Sequence, residues 1–156
     1  SVLRQEHSVI KPFVFCFSLF LCYSSSFSSF MNLRYEKTNF RYGPEMTFPL
    51  KFTWNAPGLP VEILKEQGEW VYVQDSEGEQ GWLQRRMLSK KKLGMLRKDV
   101  EMRDDKNLQS PIVAFPKRGV LVTVKKCDGS VCKVQVPYKD KKIIGWVPKQ
   151  CIWGVA

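Results

Sequence analysis

The feature that most constrains this sequence is a strand–turn–strand unit that ends in a glycine–tryptophan pair and occurs twice. In the first copy, at residues 58–88, residues 60–63 alternate in polarity and residues 70–73 are β-branched and aromatic. Both patterns favour half-buried strands. Residues 75–78 supply turn formers, and residues 81–83 open a third strand whose tryptophan ring is expected to enter a core. This order predicts a small β-meander that curls into a barrel.

The second copy, at residues 119–153, repeats the order of apolar strands, turns and a Gly-Trp pair. The two copies are offset by 61 to 64 residues. A period of that length indicates two tandem small domains and not a solenoid. Because a domain of about 60 residues buries a low fraction of its surface, we expect mutual packing or a disulfide to add stability. The matched positions are Gly58 with Gly119, Val71 with Cys132, Trp82 with Trp146, and Leu88 with Ile152.

Four short motifs make the sequence similar to the bacterial SH3-like domains of exported proteins, in their tandem form. The motifs are NFRYGP at residues 39–44, GLPVEI at 58–63, EGEQGW at 77–82 and IWGV at 152–155. The resemblance covers residues 32–155, and it implies a five-stranded small barrel in each repeat and a non-catalytic binding role. The predicted fold class is therefore all-β, with two tandem small SH3-like β-barrels after an N-terminal signal-like segment.

The N-terminal segment has the pattern of an export signal. Its apolar run at residues 13–23 is too short to span a bilayer, which needs about 20 residues, but it fits the central region of a signal peptide. Serines at 24–26 offer small residues for cleavage. We therefore expect a periplasmic or secreted protein with no stable transmembrane anchor; the alternatives are an uncleaved anchor and a translation start at Met31. The predicted segments are a leader at 1–29, a first SH3-like domain at 30–90, a basic connector at 91–98 and a second SH3-like domain at 99–156.

Aromatic residues are concentrated at the start of the first repeat. They are Phe40, Tyr42, Phe48, Phe52 and Trp54, and most of these rings are expected to be core residues. Tyr42 and Trp54 each border a turn, where small barrels present their ligand surface, and they are the predicted aromatic ligand contacts. The competing interpretation is that these two rings also belong to the core.

A cationic run begins at the end of the first repeat. Seven lysines and arginines lie within residues 85–98, and no carboxylate occurs before Asp99. The formal charge of the whole chain is +10. One interpretation is a solvated linker. The other is a binding surface for a polyanion such as an anionic wall polymer, a lipid head group or nucleic acid, of which export disfavours nucleic acid. The predicted ligand-binding cations are Arg85, Arg86, Lys90, Lys91 and Lys92.

The cysteines of the second repeat suggest a crosslinked hairpin. Cys127 and Cys132 bracket four turn-forming residues, which would place the two side chains opposite each other at the separation that a disulfide requires. Zinc is disfavoured because three thiols without a nearby histidine make an incomplete ligand set. Cys151 aligns with Met87 and is expected to be a small buried apolar residue.

Catalytic and cofactor motifs are not found. The only histidine, His7, lies in the leader, so Ser-His and Cys-His chemistry has no base in the mature chain. Glu62 and Asp75 form a conceivable carboxylate pair, but small barrels seldom enclose one in a cleft. We expect no enzyme activity, no metal site and no cofactor. The predicted function is an exported binding module that contacts peptidoglycan, an anionic envelope polymer, or an envelope or host protein. The alternatives are a small-barrel nucleic-acid-binding protein and a structural scaffold on a larger partner.

Overall fold

The computed structural model describes residues 28–156, and the predicted signal peptide with its cleavage region lies almost entirely outside them. These residues form two seven-stranded antiparallel sheets. The first sheet contains β1 (Ser29–Leu33), β2 (Thr38–Arg41), β3 (Leu50–Trp54), β4 (Pro60–Gln67), β5 (Trp70–Gln74), β6 (Gln80–Gln84) and β7 (Leu88–Ser89). The second contains β8 (Leu93–Leu96), β9 (Met102–Arg103), β10 (Ile112–Ala114), β11 (Leu121–Asp128), β12 (Val131–Tyr138), β13 (Lys141–Pro148) and β14 (Ile152–Trp153).

The two sheets have the same topology. Their strand orders are β3-β2-β6-β5-β4-β1-β7 and β10-β9-β13-β12-β11-β8-β14, so adding seven to each label converts one into the other. A single 3-10 turn, at Arg85–Met87 and at Lys149–Cys151, precedes the last strand of each sheet. The all-β fold of two tandem SH3-like barrels is thus confirmed. Across residues 28–156, no helix is long and apolar enough to traverse a bilayer.

The repeat found in the sequence is also a repeat of backbone geometry. Gly58 and Gly119 have φ angles of +83° and +85°, in the left-handed region that glycine adopts at low cost. The amide of each donates to a carbonyl of the first strand of its own sheet, Leu33 or Leu96, at 2.7 and 2.8 Å. In each barrel, the same glycine turn therefore joins the segment before the fourth strand to the end of the first strand.

Each barrel has its own apolar core, built from alternate residues of its strands. The first core is composed of Leu33, Phe40, Leu59, Val61, Val71, Val73, Leu83 and Leu88. The second is composed of Leu96, Val100, Met102, Val122, Cys132, Val134, Val136, Val147, Cys151 and Ile152. Cys151 is 2% exposed, which agrees with its expected role as a small buried apolar residue.

The paired tryptophans are buried, as expected, but outside these two clusters. Trp82 and Trp146 are each 8% exposed. Because Leu83 points into the core, its neighbour Trp82 points to the opposite face of β6, where the Tyr72 ring lies 5.2 Å away. Lys126 Nζ lies 5.6 Å from the Trp146 ring in the second barrel. Both indoles are therefore covered by polar and aromatic side chains of the outer face.

The predicted disulfide between Cys127 and Cys132 is present. The two residues are directly opposite each other on the β11–β12 hairpin, with their Cα atoms 4.0 Å apart. The hairpin turn itself consists of Gly129 and Ser130, because Asp128 already pairs with Val131. The crosslink is thus at the turn end of the hairpin, one residue pair from the turn itself.

The segment predicted as a connector, residues 91–98, contains strand β8. This strand pairs with β11 and β14, so the second sheet begins at Leu93. The chain therefore crosses from one barrel to the other over three residues, Lys90 to Lys92. Lys92 has a φ of +54°, and it turns the chain between β7 and β8.

Hydrogen bonds from two buried side chains join the barrels at this crossing. Asn32, which is 3% exposed, donates from Nδ2 to the carbonyl oxygen of Leu93 in the second barrel at 2.9 Å, and also to that of Gly58 in its own barrel at 3.1 Å. Trp153 Nε1 donates to the carbonyl oxygen of Pro60 at 2.8 Å. The Phe30 ring also meets the Trp153 ring edge-on at 5.0 Å. These contacts fix the position of the second barrel against the first.

Candidate functional site

A cleft of about 600 Å³ lies at the junction of the two barrels. The crossing segment and the 3-10 turn that precedes β7 bring three of the predicted cations, Arg85, Lys90 and Lys92, to its wall. Phe30, Met31, Ile63, Val124 and Val155 supply its apolar lining. The cleft therefore offers positive charge at its wall and an apolar surface beside it.

Equivalent positions of the two repeats face this cleft. Ile63 on β4 and Val124 on β11 both border it, and each precedes a register shift between its strand and the next one. A bulge of this kind bends the strand and redirects its side chains. The two bent strands thus contribute matching apolar side chains from the two barrels.

One of the three cations is paired. Arg85 Nη1 lies 3.0 Å from Glu66 Oε1, and both side chains are partly exposed. The hydrogen bond and the positive charge of Arg85 lower the pKa of Glu66 below its ordinary value. Among residues 28–156, Lys90 and Lys92 make no salt bridge. The wall of the cleft therefore carries two uncompensated positive charges beside an ion pair.

The charge of the chain is distributed unevenly between the barrels. Residues 28–90 contain eight lysines and arginines and eight acidic residues, whereas residues 91–156 contain fifteen and six. The first barrel is thus formally neutral and the second is strongly cationic. The positive potential that this excess produces extends about one Debye length, roughly 8 Å at physiological ionic strength. One of the residues that carry the excess, Lys92, lines the cleft.

Two of the predicted basic residues are not part of this cleft. Arg86 Nε donates to Gln84 Oε1 at 2.6 Å, and it borders a separate small groove with Met46 and Trp70. Lys91 is exposed between two cleft lysines and does not line the cleft.

The two predicted aromatic contacts are also elsewhere. Tyr42 is 62% exposed on the loop between β2 and β3. Trp54 packs on the first core, with its ring edge-on to Phe52 at 6.2 Å, and its buried Nε1 has no hydrogen-bond acceptor within the described residues. Neither residue lines the cleft. The aromatic and basic candidates therefore do not form one continuous surface.

Sequence reasoning missed the apolar lining of the cleft. Ile63 and Val124 occupy matched positions in the two repeats, and that match is readable from the sequence. Their convergence depends on the docking of the barrels through Asn32 and Trp153. No local pattern predicts that docking, because each contact joins residues at least 61 positions apart in the sequence.

The carboxylates considered for acid–base work are engaged in structural roles. Asp75 is fully buried, and its Oδ1 accepts hydrogen bonds from the amides of Glu77 and Glu79, each at 2.9 Å. Burial raises the pKa of Asp75. Glu62 Oε1 accepts a hydrogen bond from the Ser28 hydroxyl at 2.7 Å. In the part of the chain that the structure describes, no cluster of three or more His, Cys, Asp or Glu residues could hold a metal ion.

Comparison with known proteins supports the resemblance noted in the sequence. Residues 34–90 match the family model described as bacterial SH3 domain, so the first barrel is confirmed as a bacterial SH3-like domain. Two similar solved structures are NlpC2 and NlpC1 from Trichomonas vaginalis, with 14% and 16% identity and TM-scores of 0.35 and 0.37. The alignments cover 80% and 83% of this chain and 47% of each of those chains, so this chain spans about half their length. The search of curated proteins found no match.

Proposed function

We propose that this chain, whose residues 34–90 form a bacterial SH3 domain, is a non-catalytic binding module of the bacterial cell envelope. In this proposal the protein is exported, and it holds an anionic envelope polymer, with peptidoglycan as the first candidate, in the cleft between its barrels. The observation that carries the proposal is the position of Arg85, Lys90 and Lys92 on the wall of a cleft that also has an apolar lining.

The chemistry of the cleft suits a ligand that is both anionic and partly apolar. Lys90 and Lys92 attract carboxylates over a distance set by the ionic strength. The apolar lining that includes Ile63 and Val124 contributes a component that salt does not screen. Peptidoglycan fits both requirements, because its short peptide stems carry carboxylates and methyl groups.

The charge excess of residues 91–156 supports a second candidate, a nucleic acid. Small barrels that bind single strands combine a positive groove with exposed aromatic rings. A competition experiment distinguishes the two candidate ligands. A single-stranded oligonucleotide should leave binding to wall polymer intact if the envelope proposal is correct, and it should displace the chain if the cleft recognises only negative charge.

Co-sedimentation with purified sacculi tests the proposed site. The double variant Lys90→Gln/Lys92→Gln removes the two uncompensated charges of the cleft, and Lys141→Gln/Lys142→Gln removes the same charge from an exposed part of β13. The cleft variant is expected to lose most of its bound fraction and the matched variant to retain it. Equal losses in both variants would show that net charge, and not the cleft, drives binding.

A further inference from the structure

A second concave surface lies on the second barrel and is lined by none of the cleft residues. It is an apolar trough of about 520 Å³ whose walls include Phe115 and Tyr138. These rings are 63% and 56% exposed. Exposed aromatic rings on the walls of an apolar groove are unusual for a surface that contacts only water.

The first barrel has aromatic side chains at the place where the second barrel has the trough. Strand register pairs Phe52 with Phe40, and it pairs Ala114 with Met102 at the equivalent place in the second sheet. Two residues further along the chain are Trp54, the last residue of β3, and Pro116, which lies just beyond the end of β10. The first barrel thus fills this position with two packed aromatic rings, whereas the second has a methyl group and a proline there.

The opposite wall of the trough also differs from the equivalent part of the first barrel. In the first barrel the turn that follows β5 is acidic and contains Asp75, Glu77 and Glu79. At the corresponding positions, the trough is lined by Val136, Tyr138 and Ile143. The second barrel therefore lacks the two rings that fill this site in the first barrel, and its own site has apolar walls.

The residues around the trough indicate what kind of ligand it would bind. Strand β10, which forms one wall, is the last strand in the order of its sheet, and the backbone of such an edge strand can pair with an extended peptide. Lys117, whose Nζ lies 3.3 Å from Asp99 Oδ2, lines the trough. Lys139, which makes no salt bridge among residues 28–156, has its Nζ 5.5 Å from the Tyr138 ring. The barrel as a whole carries the positive excess described above.

We propose that this trough binds an aromatic side chain that is presented by an acidic, extended segment of a protein partner. The ring occupies the space that Phe52 and Trp54 fill in the first barrel. The segment lies along β10, and its carboxylates face Lys117 and Lys139. This site is separate from the cleft and does not depend on the function proposed for it.

A short peptide titrated into the isotope-labelled chain tests the proposal by NMR. The probe is the acetylated and amidated peptide Asp-Glu-Trp-Glu-Asp, and its matched control has alanine in place of tryptophan. The tryptophan peptide is expected to shift the amide signals of the non-proline residues within 113–120 and 136–143. The alanine peptide is expected to bind at least about tenfold more weakly, a factor that corresponds to about 1.4 kcal/mol.

Three variants locate the site. Phe115→Ala and Tyr138→Ala remove exposed walls and should each weaken binding of the tryptophan peptide severalfold. Pro116→Trp restores the residue of the first barrel and should fill the trough. Tyr35→Ala, which removes a ring that is 50% exposed on the first barrel, is the matched control and should bind as the wild type does.

The proposal is overturned if both peptides bind equally, or if the shifted signals cluster around Arg85 and Lys90. In the second case the peptide would be an anionic ligand of the cleft. Loss of sacculus binding with intact peptide binding would refute only the function proposed for the cleft, so the two proposals fail independently. Should Pro116→Trp not fold, Phe115→Ala and Tyr138→Ala still decide the question, because both side chains are exposed.

Discussion

Replacing Asn32 by alanine should destabilise the whole molecule, although the side chain lies between the barrels and in neither core. Its amide donates two hydrogen bonds, a buried one to Gly58 at 3.1 Å and a partly buried one to Leu93 at 2.9 Å. A net contribution of about 0.5–1.5 kcal/mol for each bond, together with the desolvation cost of two carbonyls left without a donor, gives a loss of about 2–4 kcal/mol. That is a large part of the stability of a typical small domain.

The control for this variant is Asn39→Ala, which removes the same side chain from an exposed site where its Oδ1 accepts one bond from Thr53. Exposed substitutions of this kind change stability by less than about 0.5 kcal/mol. Urea unfolding is measured by tryptophan fluorescence and by far-UV circular dichroism. Both probes should report one shared transition in the wild type, because Asn32 and Trp153 couple the barrels.

Two results would refute this reasoning. One is an Asn32→Ala variant whose free energy of unfolding matches that of Asn39→Ala. The other is two separate transitions in the wild type, because independent unfolding of the barrels would mean that the junction contributes little to their stability.

Three further predictions concern the disulfide, a buried carboxylate and the leader. Reduction of the Cys127–Cys132 bond should lower the free energy of unfolding by about 2 kcal/mol on the chain-entropy model, as measured by urea unfolding with and without reductant; no change would contradict a stabilising crosslink. Because burial raises the pKa of Asp75 above 3.8, the native state binds the proton more tightly, and its stability should fall as the pH rises from about 3.8 through the raised pKa. The variant Asp75→Asn, which keeps an oxygen acceptor, should therefore gain stability relative to the wild type as the pH rises above about 3.8. A stability difference that is constant with pH would contradict a raised pKa of Asp75. The leader should be cleaved between about residues 24 and 30, so the intact mass of the protein from the envelope fraction should lack residues 2–23.

Much of the fold was readable from the sequence, for a physical reason. Strand alternation and the Gly-Trp pair are local properties, and two copies in the same register specify the same barrel twice. The Cys127–Cys132 pair was also readable, because a short turn places its flanking residues opposite each other whatever the rest of the chain does. These features depend on neighbours within a few residues.

The docking of the barrels was not readable, because it depends on pairs that are distant in sequence. Asn32 has the appearance of a surface residue in the sequence, yet it is buried where the barrels meet. In the lysine run, Lys90 and Lys92 line the cleft and Lys91 does not. Lys92 has a φ of +54°. Three consecutive lysines in a sequence indicate neither this turn nor which of the three side chains lines the cleft.

The trough could not be predicted from the sequence, for a different reason. The replacement of Phe52 and Trp54 by Ala114 and Pro116 is visible in the sequence. It becomes interpretable only when strand register places these residues at equivalent positions, because the segments that precede Gly58 and Gly119 show no obvious similarity by themselves.

The most direct test of the envelope-binding account is a salt series of binding isotherms on purified sacculi. The wild type is compared with the triple variant Lys90→Gln/Lys91→Gln/Lys92→Gln, and the melting temperatures should agree because exposed charges contribute little to stability. Wild-type affinity should fall steeply with ionic strength as the cleft charges are screened, whereas the variant should bind more weakly at low salt and depend less on salt. Superimposable isotherms for the two proteins across the series would contradict the account.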